Sequence, residues 1–297
     1  MLSPEIAAFA LVFFRMISPQ PDALFADGPM VECAPTPGGL ITVDTWIGNK
    51  RFNFIVDTGT THNIFDPATL KELDDVKITR LQGFEGFSMV EPVSVRVQHL
   101  SNARDDVAFS VDLTSLSDFV GEKIDGILGM SFLADKVVVA RERRIFLADR
   151  GYQVPPRLTF VGCQPDADGR LFLDAMCIST ELSDLDDFLV DTGTYLCFSL
   201  SPKCADTLRE RGFLSEVKQS QQMQFEMPKL NAKFNVVPTR VYKMRLRSVH
   251  EDYSITFDVK TSDENLVGVG LLVGFNGIID FKQNRFYFSL PFKRPAE

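Results

Sequence analysis

Short apolar segments broken by Gly, Pro and charged turns run along the whole chain, and one such segment occurs twice. Phe54-Ile55-Val56 ends on Asp57, and Phe188-Leu189-Val190 ends on Asp191. Each reads as a short buried strand that delivers a carboxylate to the edge of a packed core. Past the Asp, Thr58-Gly59-Thr60 is matched by Thr192-Gly193-Thr194. The four letters D-T-G-T arise about once in 10⁵ positions by ordinary composition. Two copies behind the same apolar run therefore mark an internal duplication.

The duplication continues downstream. After the first copy come Asn63-Ile64-Phe65, then Asp66-Pro67 and a polar-apolar run from Ala68 to Leu73. Asp at the cap accepts from free N–H groups and Pro lacks an N–H that would have gone unpaired, so a helix is predicted to start here. After the second copy, Cys197 to Leu200 leads to Ser201-Pro202 and a predicted helix over Lys203 to Arg211, closed by Gly212. The offsets nearly agree (66 − 57 = 9 and 201 − 191 = 10). Further on, Ile124 to Gly129 reads as an apolar strand ending at Gly, followed by a hairpin of Val137-Val138-Val139 and Ile145-Phe146-Leu147. Gly270-Leu271-Leu272-Val273-Gly274 reads as its counterpart, followed by a hairpin of Ile278 to Phe281 and Phe286 to Phe288 about Lys282-Gln283-Asn284. The distances from Asp to this Gly are 129 − 57 = 72 and 274 − 191 = 83.

The pattern divides the chain into residues 1–30, a possible signal or N-terminal segment, and two units over 31–152 and 153–297, each carrying one Asp-Thr-Gly-Thr. The joint falls where Gly151, Pro155 and Pro156 punctuate the chain. A length of 297 residues suits two lobes with cores of their own. A net charge of −9 without a Lys/Arg cluster argues against nucleic acid as a partner. The longest apolar run, Ile6 to Phe14, falls well short of the roughly 20 residues that span a bilayer. It reads either as the core of a secretory signal with cleavage near Ala26 or as a packed terminal segment. The first reading favours an extracytoplasmic location over a cytoplasmic one. Cys163, Cys177, Cys197 and Cys204 share the second unit and Cys33 stands apart, which leaves one or two disulfides open. No metal-ligand spacing occurs, and no metal or other cofactor is expected.

Two apolar-Asp-Thr-Gly loops, each followed by a distant apolar strand ending at Gly, resemble the aspartic peptidases of the pepsin and retropepsin type over about residues 40–290. Ile124-Asp125-Gly126-Ile127-Leu128-Gly129 is similar to the pepsin-like pattern. The resemblance implies an all-β, bilobal acid-protease fold, with two β-barrel-like lobes and short helices about a pseudo-twofold axis. It implies Asp57 and Asp191 as the catalytic pair, with Thr58, Gly59, Thr60, Thr192, Gly193 and Thr194 supporting the loops. It further implies a monomer acting on a peptide or protein substrate.

The chemistry agrees with the letters. Two carboxylates a few ångströms apart do not both ionise, so one keeps a proton and the pair titrates as a unit; such a dyad is a standard worked case of shared-proton chemistry. The ionised member activates a water and the protonated member donates to the peptide carbonyl, with either Asp able to take either role. A cover over the site is sought in Gln82-Gly83-Phe84-Glu85-Gly86-Phe87, with Gly83, Phe84 and Gly86 as candidate flap residues and a plain hairpin turn as the alternative. Pepsins place a Tyr in that flap, whereas no Tyr precedes Tyr152, which makes the lobes closer to retropepsin-like bacterial relatives. Two other functions fit parts of the pattern. One is a catalytically silent peptide-binding protein on the same scaffold. The other is an actin or sugar-kinase type nucleotide-binding enzyme, whose phosphate loop Val56 to Thr61 resembles.

Overall fold

β-Branched and aromatic residues in short runs between Gly, Pro and charged turns favour strands over helices, and the computed structural model is built almost wholly from them. It describes residues 30–36, 39–47, 50–72, 79–80, 91–94, 107–149, 151–156, 158–179, 182–219, 224–227, 232–235, 240–247 and 254–288. The first half contains β1 (Met30–Pro35), β2 (Ile41–Ile47), β3 (Lys50–Val56), β4 (Asn63–Phe65), α1 (Pro67–Glu72), β5 (Thr79–Arg80), β6 (Glu91–Ser94) and β7 (Val107–Ser110). It continues through α2 (Thr114–Val120), β8 (Gly126–Leu128), α3 (Met130–Leu133), β9 (Lys136–Arg141) and β10 (Arg144–Asp149). The second half contains β11 (Thr159–Pro165), β12 (Leu171–Leu173), α4 (Ala175–Ile178), β13 (Phe188–Val190), β14 (Phe198–Leu200), α5 (Pro202–Glu210) and β15 (Leu214–Gln219). After a hairpin of β16 (Gln224–Met227) and β17 (Ala232–Asn235) come β18 (Arg240–Arg247), β19 (Ser254–Thr261), β20 (Leu266–Val267), α6 (Val269–Gly274), β21 (Ile278–Asp280) and β22 (Arg285–Phe288).

The two halves share one topology. The first runs β1-β2-β3-β8-β4-β7-β6-β5, and the second runs β11-β12-β13-β20-β14-β19-β18-β15. The senses match pair by pair: β3 lies parallel to β8 as β13 does to β20, and β4 lies parallel to β7 as β14 does to β19. A six-stranded shared sheet then joins them in the order β1-β10-β9-β21-β22-β11, three strands from each half. At its centre β9 and β21 are antiparallel, with Val138 opposite Ile279. Alternation along β9 serves two cores. Val138 and Ala140 face the large core under the barrels, while Val137 and Val139 pack with Tyr152 and Leu158 of the segment that links the halves. This is the bilobal acid-protease architecture, all-β with short helices.

Both helix starts read from the sequence are present. Asp66 Oδ1 accepts from Ala68 N (2.8 Å) at the head of α1, and Ser201 Oγ accepts from Cys204 N (3.3 Å) at the head of α5. Gly212, at φ +76°, follows the end of α5.

One predicted element is corrected. Gly270 to Gly274 lies in helix α6, and the counterpart of Gly129 is Gly268, at a separation of 268 − 191 = 77. Gly129 and Gly268 each cap a short helix, and the next amide donates to the outer Thr carbonyl of its loop: Met130 N to Thr60 O and Val269 N to Thr194 O, both 2.9 Å. A Cβ would lie 2.4 Å from His62 O at Gly129 and 2.2 Å from Leu196 O at Gly268. A continuous apolar run has no period that separates a buried helical turn from a strand. Backbone crowding, which the letters do not display, sets the glycine.

None of the five cysteines is in a disulfide, and burial pushes Cys33, Cys163 and Cys204 up to about 12. Among the described residues no helix is long and apolar enough to cross a membrane. Gly83, Phe84 and Gly86 lie outside the described residues.

Candidate active site

Asp57 stands at the C-terminal end of β3 and Asp191 at the end of β13, each in the middle of its sheet. Both backbone amides extend the parallel ladder by one bond, Asp57 N to Leu128 O (3.0 Å) and Asp191 N to Val267 O (2.8 Å). The chain then turns sharply, and each carboxylate takes a bond from the glycine two residues on: Gly59 N to Asp57 Oδ1 (2.9 Å) and Gly193 N to Asp191 Oδ1 (2.7 Å). The sheet fixes the position of each carboxyl group, and the turn fixes its orientation.

The threonines after the aspartates lock the two loops together. Thr58 N donates to Thr192 Oγ1 (3.1 Å) and Thr192 N donates to Thr58 Oγ1 (3.0 Å). Each hydroxyl in turn donates across the axis, Thr58 Oγ1 to Val190 O and Thr192 Oγ1 to Val56 O, both 2.7 Å. Both threonines are buried, so every donor and acceptor in this square would be left without water if one member were lost.

The glycines let the carboxylates meet. A Cβ on Gly59 would stand 2.7 Å from Asp191 Oδ1 and 3.2 Å from Asp57 Oδ1, and one on Gly193 would stand 2.9 Å from both Asp191 Oδ1 and Asp57 Oδ2. Each glycine therefore abuts both carboxyl groups, and any side chain would occupy the space between them.

The electrostatics follow from this crowding. Asp57 is held well above the usual carboxylate range, first because its carboxyl is desolvated, then by the charge of Asp191 and by a hydrogen bond to it. The amides of Gly59 and Thr60 pull the other way and are outweighed. The residue as a whole keeps partial exposure, as does Asp191. Such a pair holds one proton between two oxygens and presents both a base and an acid.

All eight loop residues read from the sequence are brought together. The outer threonines act from beneath, since the Thr60 and Thr194 methyl groups press on Gly129 and Gly268. Other supporting residues escaped the sequence reading. Asn63 Oδ1 accepts from Gly129 N (2.9 Å), and Asp125 accepts from Asn53 N (2.8 Å) and Thr69 Oγ1 (3.2 Å) while pairing with Lys123 (2.7 Å). In the second half Asn265 Oδ1 takes Ser201 N (2.8 Å). Asp125 belongs to the Ile124 to Gly129 motif, but its hydrogen-bond partners Asn53 and Thr69 lie more than fifty residues away and only the fold names them.

Two loops of this form, cross-bonded about a pseudo-twofold axis, can be compared with known proteins. Residues 43–132 match the aspartyl protease family. The matched stretch covers Asp57, its loop and Gly129. Among solved structures, the crystal structure of Basic 7S globulin from soybean is similar at a TM-score of 0.50 and 10% identity. The match covers 88% of this chain and 93% of that one. That likeness extends over both lobes and concerns the fold. No curated protein matches the sequence.

Proposed function

We propose that the chain is an aspartic endopeptidase in which Asp57 and Asp191, one from each lobe (31–152 and 153–297), share a proton and hydrolyse peptide bonds. The observation that carries this reading is the contact of both carboxyl groups with Gly59 and Gly193, together with the raised protonation of Asp57. In the reaction, a water between the carboxyl groups loses a proton to the ionised member as its oxygen attacks the peptide carbonyl carbon. The protonated member gives its proton to the carbonyl oxygen. The tetrahedral diol then collapses, the C–N bond breaks, and the nitrogen leaves with a proton returned by the dyad. No covalent bond to the protein forms. The buried threonine square supports this chemistry by keeping the oxygens in place, so little reorganisation is needed during the reaction.

The test is turnover of a mixed peptide library between pH 3 and 8 by the wild type and by Asp57→Asn and Asp191→Asn. Both variants are expected to lose about 10³-fold or more, and a statine-type transition-state mimic is expected to inhibit the wild type. Equal cleavage by the variants would sink the assignment. Peptide binding without any cleavage by the wild type would instead establish a silent binding protein. The nucleotide-binding alternative falls with the fold, because the loop after Val56 runs through a three-residue strand into α1 within an acid-protease lobe.

A further inference from the structure

The two loops differ in one respect that bears on substrate choice. Thr60 and Thr194 are equivalent, since their carbonyls accept from Met130 N and Val269 N. Phe65 and Leu200 are also equivalent, since each sits next to a parallel strand and its carbonyl accepts from the residue just beyond that strand: Val111 N (3.0 Å) and Ser262 N (2.9 Å). Between these markers lie residues 61–64 in the first half and 195–199 in the second, so the second half carries one residue more. Tyr195 opens that longer stretch.

Its ring crosses to the other half. Gly39 lies at the tip of the β1–β2 hairpin, at φ +85°, where Gly39 N donates to Thr36 O (2.9 Å) and Leu40 N to Thr36 Oγ1 (3.1 Å). A Cβ on Gly39 would lie 3.0 Å from both Cβ and Cγ of Tyr195 and 3.3 Å from Cδ1. The aromatic ring is thus seated on bare backbone of the opposite lobe, and it remains half-buried. It is also close to the dyad. Thr194 N bonds back to Asp191 O (3.3 Å), which closes a turn. A four-residue turn spans less than about 7 Å and the next Cα adds about 3.8 Å, so Tyr195 stands within about 11 Å of Asp191, or about three residues of extended peptide.

We propose that Tyr195 is a specificity-determining residue that bridges the lobes on one side of the dyad and narrows the cleft there, so that the substrate residue lying against it must be small, of the Gly, Ala or Ser class. This rests on the peptidase reading and adds the chemistry of one substrate position. The extra residue in the second loop gives the ring its reach, and the missing side chain at Gly39 gives it a seat. At the matching place in the first loop, the shorter side chain of Thr61 bonds its own neighbour His62 (2.6 Å). The restriction therefore falls on one side of the scissile bond only.

The experiment profiles a peptide library, varied at every position within four residues of the cleaved bond, with the wild type, Tyr195→Ala, Tyr195→Leu and Tyr195→Phe. The same peptides are measured for binding to Asp57→Asn with and without Tyr195→Ala. The wild type is expected to favour small residues at a single position. Tyr195→Ala should raise kcat/KM for Leu and Phe there by at least tenfold relative to Ala, Tyr195→Leu should shift it less, and Tyr195→Phe should keep the small-residue preference. An unchanged profile in Tyr195→Ala, or a loss spread evenly over all positions, overturns the inference while leaving the peptidase reading intact. If the wild type cleaves nothing, the peptidase reading fails and the binding measurement decides. A one-position relaxation in the double variant upholds the role of Tyr195, and its absence ends it.

Discussion

At Thr58, one buried hydroxyl serves two groups of the opposite loop. Its hydroxyl donates to Val190 O and accepts from Thr192 N. Valine has the same outline and neither function, so Thr58→Val would leave a buried carbonyl and a buried amide unpaired. A loss of about 2–5 kcal/mol is expected in urea denaturation, with Thr58→Ser recovering most of it; equal effects of the two substitutions would show that methyl packing matters more than the bonds. At Gly193 a methyl group would sit 2.9 Å from an oxygen of each aspartate. Gly193→Ala should therefore cut turnover far more than it lowers the melting temperature, as compared directly in the same preparation. Asp57 gives a pH signature. Its folded-state pKa lies above the unfolded value of about 3.9, so over the interval between them the folded chain binds more protons than the unfolded one. Stability from this group is fully present below the unfolded pKa and is lost as pH rises through the folded pKa. Asp57→Asn removes that loss, so the difference in urea midpoint between variant and wild type should move in the variant's favour as pH rises from 4 to 8. Parallel curves would contradict it.

At the scale of elements, legibility depended on whether the cause of a structure was local. The strand, turn and helix around each aspartate were legible because their determinants are contiguous. The apolar tripeptide, the Asp-Thr-Gly-Thr and the Asp66-Pro67 or Ser201-Pro202 cap all act on neighbours a few residues away. The eight loop residues of the site were legible for the same reason. The supports Asn63, Asp125 and Asn265 were not, since a capping amide or carbonyl partner is supplied by a distant segment. Helix α6 was misread because Gly270 to Gly274 is apolar throughout and carries no period. The same region yields a sharp comparison. A Cβ on Gly268 meets Leu196 O at 2.2 Å and Thr194 O at 2.5 Å, whereas one on Gly274 meets nothing within 4 Å. Gly268→Ala should cost about 3 kcal/mol in denaturant unfolding, and Gly274→Ala should be close to neutral. The reverse order would restore Gly274 as the partner of Gly129.

For the whole molecule, the threonine square beside the dyad and the six-stranded sheet beneath it both join the halves. In that sheet β9 and β21 meet through Val137, Val138 and Val139 against Asp280, Ile279 and Ile278. The covalent link between β10 and β11 is a separate matter, as it only lies against one face of the sheet through Tyr152 and Leu158. Information about which half belongs with which is thus stored in surface complementarity and not in the peptide chain between them. A gene cut within this link would yield two polypeptides, neither of which completes the shared sheet or carries both Asp57 and Asp191, and which should find one another when made in the same cell. The protein would in this sense be inherited in two parts and still be assembled as one, which co-purification of an untagged half with a tagged one checks.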